Sequence, residues 1–236
     1  MMTMQEMIYR RKSCRSFTGR PVDGEVIEKI LSFEPKPLYP DIKVRMDIVP
    51  REQVKCICPW TTPQLIAVYS EEAEGYLENA GFLFQQMDLY LQTLGLGVCW
   101  LGMGKMNPKT APAVEGMKFV IMLAFGEPKG DCRRESLEEF KRKEAGEIAD
   151  RADPRLEPAR FAPSAVNAQP WYFVHEGEDL HAYCTRKRVA GDMHVIDMGI
   201  GLAHLYVANP DTFRFFLAGN PPKVEGYDYI GSAALG

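Results

Sequence analysis

The sequence has no apolar run approaching the ~20 residues that a membrane-spanning helix needs, and no apolar signal segment stands before Arg10. Both absences lead to the expectation of a cytoplasmic protein with no membrane partner. Charge of one sign is also lacking. A net charge of −4 over 236 residues gives no electrostatic basis for nucleic acid or an acidic membrane as a partner. No Gly-x-Ser-x-Gly elbow or Ser-His-Asp set is present. No Gly-x-Gly-x-x-Gly follows a strand, because Gly95-Leu96-Gly97 follows a helical stretch. Histidine is scarce. His175, His181, His194 and His204 show no metal spacing, and His204, inside an apolar helical stretch, reads as a satisfied core residue. The six cysteines are too sparse for a disulfide scaffold and read as reduced thiols; Cys56-Ile57-Cys58 has no second pair at ligand spacing.

What is present is an ordinary globular composition, with 46% hydrophobic residues, and a readable order of elements. Met1 to Arg11 has the mix for a short helix. Asp23 is a plausible N-cap for a helix to Phe33, with Val26, Ile27, Ile30 and Leu31 at helical spacing. Ile42 to Val49 alternates as a half-buried strand, and Leu65 to Tyr69 is a short apolar strand. Tyr76 to Leu94 is the clearest helix, stopped by Gly95-Leu96-Gly97. Phe119 to Phe125 reads as a buried strand. Lys141 to Asp153, dense in charge, reads as a solvated helix or linker.

The last third reads as a shortened copy of the middle. Trp171 to Val174 and Leu180 to Cys184 are two strands, Val195 to Val207 an apolar helix, and Phe213 to Ala218 a strand. Asn79-Ala80-Gly81 aligns with Asp197-Met198-Gly199 at an offset of 118, and Gly126-Glu127-Pro128 with Gly219-Asn220-Pro221 at an offset of 93. The chain is thus expected to be one α+β domain over 1–236, built from a pseudo-repeat of about 1–140 and 150–236.

Three stretches carry candidate chemistry. Ala162 to Val174 is a proline-bracketed polar loop running into an aromatic strand. Its Ser164, Asn167 and Gln169 offer hydroxyl and amide groups with no formal charge, which suit a planar heteroaromatic ligand better than a metal, or the stretch is simply a turn entering an edge strand. Arg10, Arg11, Lys12 and Arg15 are four cations within six residues, with Ser13 among them: an anion site or a solvated basic face. Gly95 to Gly102 is a helix stop leading into a buried strand.

All three stretches resemble motifs of the nitroreductase family of flavin enzymes. Pro163-Ser164-x-x-Asn167-x-Gln169-Pro170-Trp171 is similar to that family's Pro-Ser-x-x-Asn-x-Gln-Pro-Trp loop, which in most members lies near the N-terminus. Arg10-Arg11-x-Ser13-x-Arg15-x-Phe17 resembles its N-terminal signature, and Gly95-Leu96-Gly97-x-x-Trp100-Leu101-Gly102 its Gly-Leu-Gly-x-x-Trp-Ile-Gly segment. The resemblance implies a nitroreductase-like fold with antiparallel-rich sheets flanked by helices. It also implies the single-chain branch, in which two half-copies imitate the usual homodimer and the chain works as a monomer. The implied cofactor is FMN, with NAD(P)H as electron donor and a nitroaromatic, quinone or similar small molecule as acceptor. Arg10, Arg11, Ser13 and Arg15, with Arg133 and Arg134, would hold the phosphate. Leu101 and Gly102 would offer backbone to the ring. Ser164 and Asn167 from the other half would address ring or ribityl chain, with Gln169 in support. No catalytic side chain is implied, since the cofactor carries the chemistry. A flavin-binding or sensing protein with little turnover, and a remnant that binds no flavin, are the alternatives.

Overall fold

The computed structural model describes residues 2–58, 60, 62, 64–111, 113–188 and 191–236. The chain divides into two compact units: Met1–Tyr76 with Met87–Leu137, and Leu77–Gln86 with Glu138–Gly236.

In the first unit, α1 (Met4–Ile8) starts from Thr3 in a reciprocal capping box with Glu6, and α2 (Gly24–Ser32) starts from Asp23, whose carboxylate accepts the Glu25 N–H. Strands β1 (Val44–Pro50), β3 (Gln64–Ser70), β4 (Gly97–Leu101) and β6 (Lys118–Gly126) form one antiparallel sheet in the order β1-β3-β6-β4. A small pair, β2 (Val54–Lys55) with β5 (Lys105–Met106), lies outside it. Helix α3 (Tyr76–Thr93) ends where Gly95 takes φ +84°, a left-handed stop that most side chains resist.

The second unit carries α4 (Glu157–Phe161), then β7 (Trp171–Glu176), β8 (Asp179–Thr185), α5 (Met193–Ala208), β9 (Arg214–Phe216) and β10 (Tyr227–Ala234). Its four strands are also antiparallel, in the order β7-β8-β10-β9. Both sheets obey one rule: strand, strand, helix, strand, strand, with the last strand slotted between the second and third. The expected half-copies therefore exist as topology. Twelve of the 16 residues of α5 are buried, which makes it the core helix of its unit.

The repeat is visible at atomic scale inside the second unit, where the first half of α3 crosses α5. A Cβ added at Gly81 would lie 2.1 Å from the Ile196 carbonyl oxygen, and one at Gly199 would lie 2.0 Å from the Glu78 carbonyl oxygen. These four positions are related by the 118-residue offset, so the contact is reciprocal, as across a two-fold axis.

Two expectations need correction. The partner of β6 in the repeat is β10, not the Phe213 to Ala218 stretch; that stretch holds the three-residue edge strand β9, the counterpart of β4. Hence Gly219-Asn220-Pro221 does not correspond to Gly126-Glu127-Pro128. The loop between the last two strands runs over 102–117 in the first copy and 217–226 in the second, a smaller difference than the motif alignment implies. Nor is Lys141 to Asp153 a solvated helix. It holds only a short 3-10 turn at Ala145–Glu147, and Ile148 and Ala149 are buried. Its backbone pairs with β7: Phe173 N–H donates to the Ile148 carbonyl at 2.8 Å and Asp150 N–H to the Phe173 carbonyl at 3.0 Å.

Candidate functional site

The basic segment of the first unit is extended and held on three sides. Cys14 N–H donates to the Val98 carbonyl at 2.8 Å, which ties the segment to the start of β4. Gln92 of α3 accepts the Lys12 N–H at 3.3 Å and donates to Asp88 at 2.5 Å. On the third side runs the stretch before Leu137: Arg11 and Arg133 are antiparallel bridge partners, Phe17 pairs with Pro128, and Arg134 N–H donates to the Arg10 carbonyl at 2.7 Å. Residues more than 100 positions apart thus form one strip containing Arg10, Arg11, Arg15, Arg133 and Arg134.

The five arginines have different tasks. Arg11 is 1% exposed, and its Nε lies 3.2 Å from Asp88 Oδ2, equally buried; the two atoms attract as charges without an aligned hydrogen bond. A pair of this kind is a strut, since removing either partner strands the other charge out of water. Its Nη2 reaches Ser13 Oγ at 3.4 Å, which leaves the serine O–H free to donate. Arg10 Nη1 donates to the carbonyls of Arg134 and Glu135 at 3.0 and 2.7 Å, and Arg134 Nη1 donates to the Arg11 carbonyl. These three arginines lock the strip. Arg15 and Arg133 are exposed, and among the described residues neither has an ion-pair partner. Leu101 is buried and its carbonyl accepts the Gly104 N–H at 3.1 Å, so exposed Gly102 stands in the turn that ends β4.

The candidate loop of the second unit is strained and braced. Val166, Asn167 and Gln169 take φ of +48°, +59° and +47°, a region that a β-branched residue such as valine enters only when its surroundings force it. Asp197 of α5 accepts the Ala165 N–H on both carboxylate oxygens, at 3.1 and 3.0 Å. Ser164 Oγ accepts the Gln169 N–H at 2.9 Å, closing the loop on itself. Asn167 accepts from Arg142 at 2.5 Å and donates to the Lys141 carbonyl at 2.8 Å. Gln169, buried, accepts the Lys143 N–H at 3.0 Å, and its carbonyl accepts from Lys143 Nζ at 2.9 Å. Pro163 is buried at the entry. Asn167 and Gln169 therefore spend their polar atoms on the loop, and Ser164 is the residue whose O–H proton stays available. Burial pushes the Asp197 carboxyl up to about 7, against the Ala165 N–H, which draws it down; burial likewise lowers the Lys143 ammonium.

Sequence reasoning missed Asp88, Asp197, Arg142 and Lys143. The first two carried a signal, each being a carboxylate set among the apolar positions of a helical stretch, where burial demands a partner. The other two lay in the segment read as solvated. His204 behaves as expected: Nδ1 donates to the Pro158 carbonyl at 2.9 Å and Nε2 faces Gln85 at 3.1 Å. Among the described residues no three or more His, Cys, Asp and Glu side chains are grouped so as to hold a metal ion, and no helix is long and apolar enough to cross a membrane.

The family model described as "Putative TM nitroreductase" matches residues 3–209. The chain belongs to that nitroreductase family. Its fold is shared with the crystal structure of a putative nitroreductase from Thermotoga maritima MSB8, at 21% identity and a TM-score of 0.70, over 99% of this chain and 94% of the other. Weaker likenesses include a nitroreductase family protein from Clostridium difficile 630 (18% identity, TM-score 0.48, 63% of this chain and 96% of the other). Another is an FMN-dependent nitroreductase from Clostridium difficile R20291 (16% identity, TM-score 0.42, 56% and 94%). No curated protein matches the chain.

Proposed function

We propose that this nitroreductase-family chain is an FMN-dependent NAD(P)H oxidoreductase. The observation that carries the reading is the basic strip. Five arginines from two distant segments lie on one strip, the one buried acid among them is spent on Arg11, and Arg15 and Arg133 remain exposed on the same strip as Ser13. That donor set fits a phosphate monoester: two exposed guanidiniums for bidentate contact and a serine O–H as neutral donor. Gly102, with no side chain, lets backbone approach a flat ring. Taken by itself, the second unit offers the Ser164 O–H as a neutral donor, and Asn167 and Gln169 keep that loop in shape. The chemistry such a cofactor supplies is two-electron transfer from NAD(P)H to a nitroaromatic, quinone or similar small acceptor. The chain's own residues bind and orient; none is asked to act as nucleophile or base.

The test begins with the visible spectrum of the purified protein before and after FMN addition and desalting. Flavin bands that survive desalting, followed by NAD(P)H oxidation with a quinone or nitroaromatic, are the expected result. Each lost guanidinium–phosphate contact stabilises by about 1.5–3 kcal/mol, so Arg15→Ala with Arg133→Ala should weaken FMN retention at least ~100-fold while the circular dichroism spectrum stays unchanged. Retention equal to wild type in that variant overturns the phosphate assignment. A protein that holds no FMN at all overturns the function, and one that holds it without oxidising NAD(P)H is a flavin-binding protein only.

A further inference from the structure

The strip that carries the arginines also brings two cysteines together. Cys14 and Cys132 are 118 positions apart, and their sulfur atoms lie 2.6 Å from one another. The backbone around them is already fixed on both sides, by the Arg11–Arg133 bridge before and the Phe17–Pro128 bridge after. Gly97 makes the room: a Cβ there would lie 2.6 Å from Cys14 Sγ. Cys14 is 1% exposed, whereas Cys132 is half-buried and lines a cavity of about 250 Å³ whose wall includes Gly95, Gly130, Asp131 and Arg133. One thiol thus meets small molecules and the other stands directly behind it.

We propose that Cys14 and Cys132 are a modification site, closed into an intramolecular disulfide by exchange with a low-molecular-weight disulfide of the glutathione type. Cys132 Sγ, as thiolate, attacks one sulfur of the small disulfide; that S–S bond breaks, a mixed disulfide forms, and the first small thiol leaves. Cys14 Sγ then attacks Cys132 Sγ, the mixed bond breaks, and the second small thiol leaves. The two protein thiols are oxidised, the small disulfide is reduced to two thiols, and the two protons pass from the cysteines to those thiols. Arg133 beside the cavity suits a carboxylate-bearing partner such as glutathione. Burial, then the bond to Cys14, pushes the Cys132 thiol up to about 12, so exchange is slow at neutral pH. Its rate should rise about tenfold per pH unit as the thiolate fraction grows.

The experiment is incubation of the purified full chain with oxidised glutathione at pH 7, 8 and 9, then alkylation of remaining thiols, intact-mass measurement and peptide mapping. Expected is loss of about two hydrogens per chain, a cross-linked peptide joining Cys14 to Cys132, release by dithiothreitol, and the stated pH dependence. Cys14→Ser should stop at a glutathione adduct on Cys132. Full alkylation of both cysteines after oxidation, or a cross-link joining other cysteines instead, overturns the proposal, and mapping of the unmutated chain decides it even should Cys14→Ser fail to fold. The readout needs no flavin, so its failure and failure of the oxidoreductase reading are distinguishable.

Discussion

Gly81→Ala and Gly199→Ala probe the helix crossing on which the repeat rests. Alanine in a helix interior is normally better than glycine by about 0.5–1 kcal/mol, so a helix with free space would gain from either change. Here the new methyl would stand 2.1 Å from the Ile196 carbonyl oxygen or 2.0 Å from the Glu78 carbonyl oxygen. Carbon and oxygen in van der Waals contact need roughly 3.3 Å, so one helix must shift by more than 1 Å. The obstacle is helix backbone and cannot rotate aside, and α5 is buried nearly throughout. Overpacking of this kind costs about 1–3 kcal/mol where side chains can adjust; against rigid backbone the expectation is about 3 kcal/mol or more for each variant. Because one separation of the helices relieves both clashes, the double variant should cost clearly less than the sum of the singles. Gly24→Ala, at the start of α2 with nothing within 4 Å of its Cβ, is the control and should be neutral or slightly stabilising. Urea denaturation followed by circular dichroism measures all four. A loss below about 1 kcal/mol for both single variants, or strict additivity in the double, would refute the reciprocal crossing.

The loop held by Asp197 gives a pH prediction. Its folded carboxyl titrates near 7 against an ordinary 3.8, so the native state holds the extra proton and stability falls as pH rises from about 4 to about 7, by about 4 kcal/mol when fully ionised. Asp197→Asn keeps an acceptor for the Ala165 N–H and removes the charge; its stability relative to wild type should grow by that amount between pH 4 and pH 8 in urea titrations, and a gap that does not change with pH refutes the assignment. Val166, at φ +48° and 78% exposed, carries left-handed strain with little packing in return. Val166→Asn should therefore stabilise by about 1 kcal/mol, and a destabilised variant in thermal melts would show that the valine makes a contact that matters.

Most regular elements were legible because their periodicity is strong. α2, α3 and α5, and strands β1, β3, β6, β7 and β8, all appear where the apolar pattern puts them. β10 was not legible. Tyr227–Ala234 contains glycine, serine and alanine in place of an apolar run, and a register shift at Tyr229/Gly231 breaks its alternation, yet it sits between two partners. Its position is set by sheet topology, which a local pattern does not carry. Charge density hid the Lys141 to Asp153 stretch for a similar reason: its buried apolar residues, Ile148 and Ala149, decide its path along β7, and they are outnumbered by charges. In the candidate site the chemistry was legible and the conformation was not. Ser164, Asn167 and Gln169 announce polar contacts, but a valine at Val166 argues against the left-handed turn it adopts, because the braces from Asp197 and Arg142 come from 31 residues after and 24 before it.

The two copies share what packing requires and differ where ligands are expected. Strand order and the Gly81–Gly199 crossing are common to both. The arginine strip, made of residues before β1 and after β6, flanks the first copy only, and the strained polar loop directly precedes the first strand of the second only; the residues before β1 are Pro-rich and bear no such loop. Were the asymmetry mere drift, it would fall on either copy's exposed positions without regard to chemistry. Instead each asymmetric segment is locked by buried polar atoms that do nothing for a core: Asp88 and Gln92 under the strip, Asp197 under the loop. Buried carboxylates cost stability unless they hold something in place. Their presence under the segments that break the repeat is a physical reason to look for binding there.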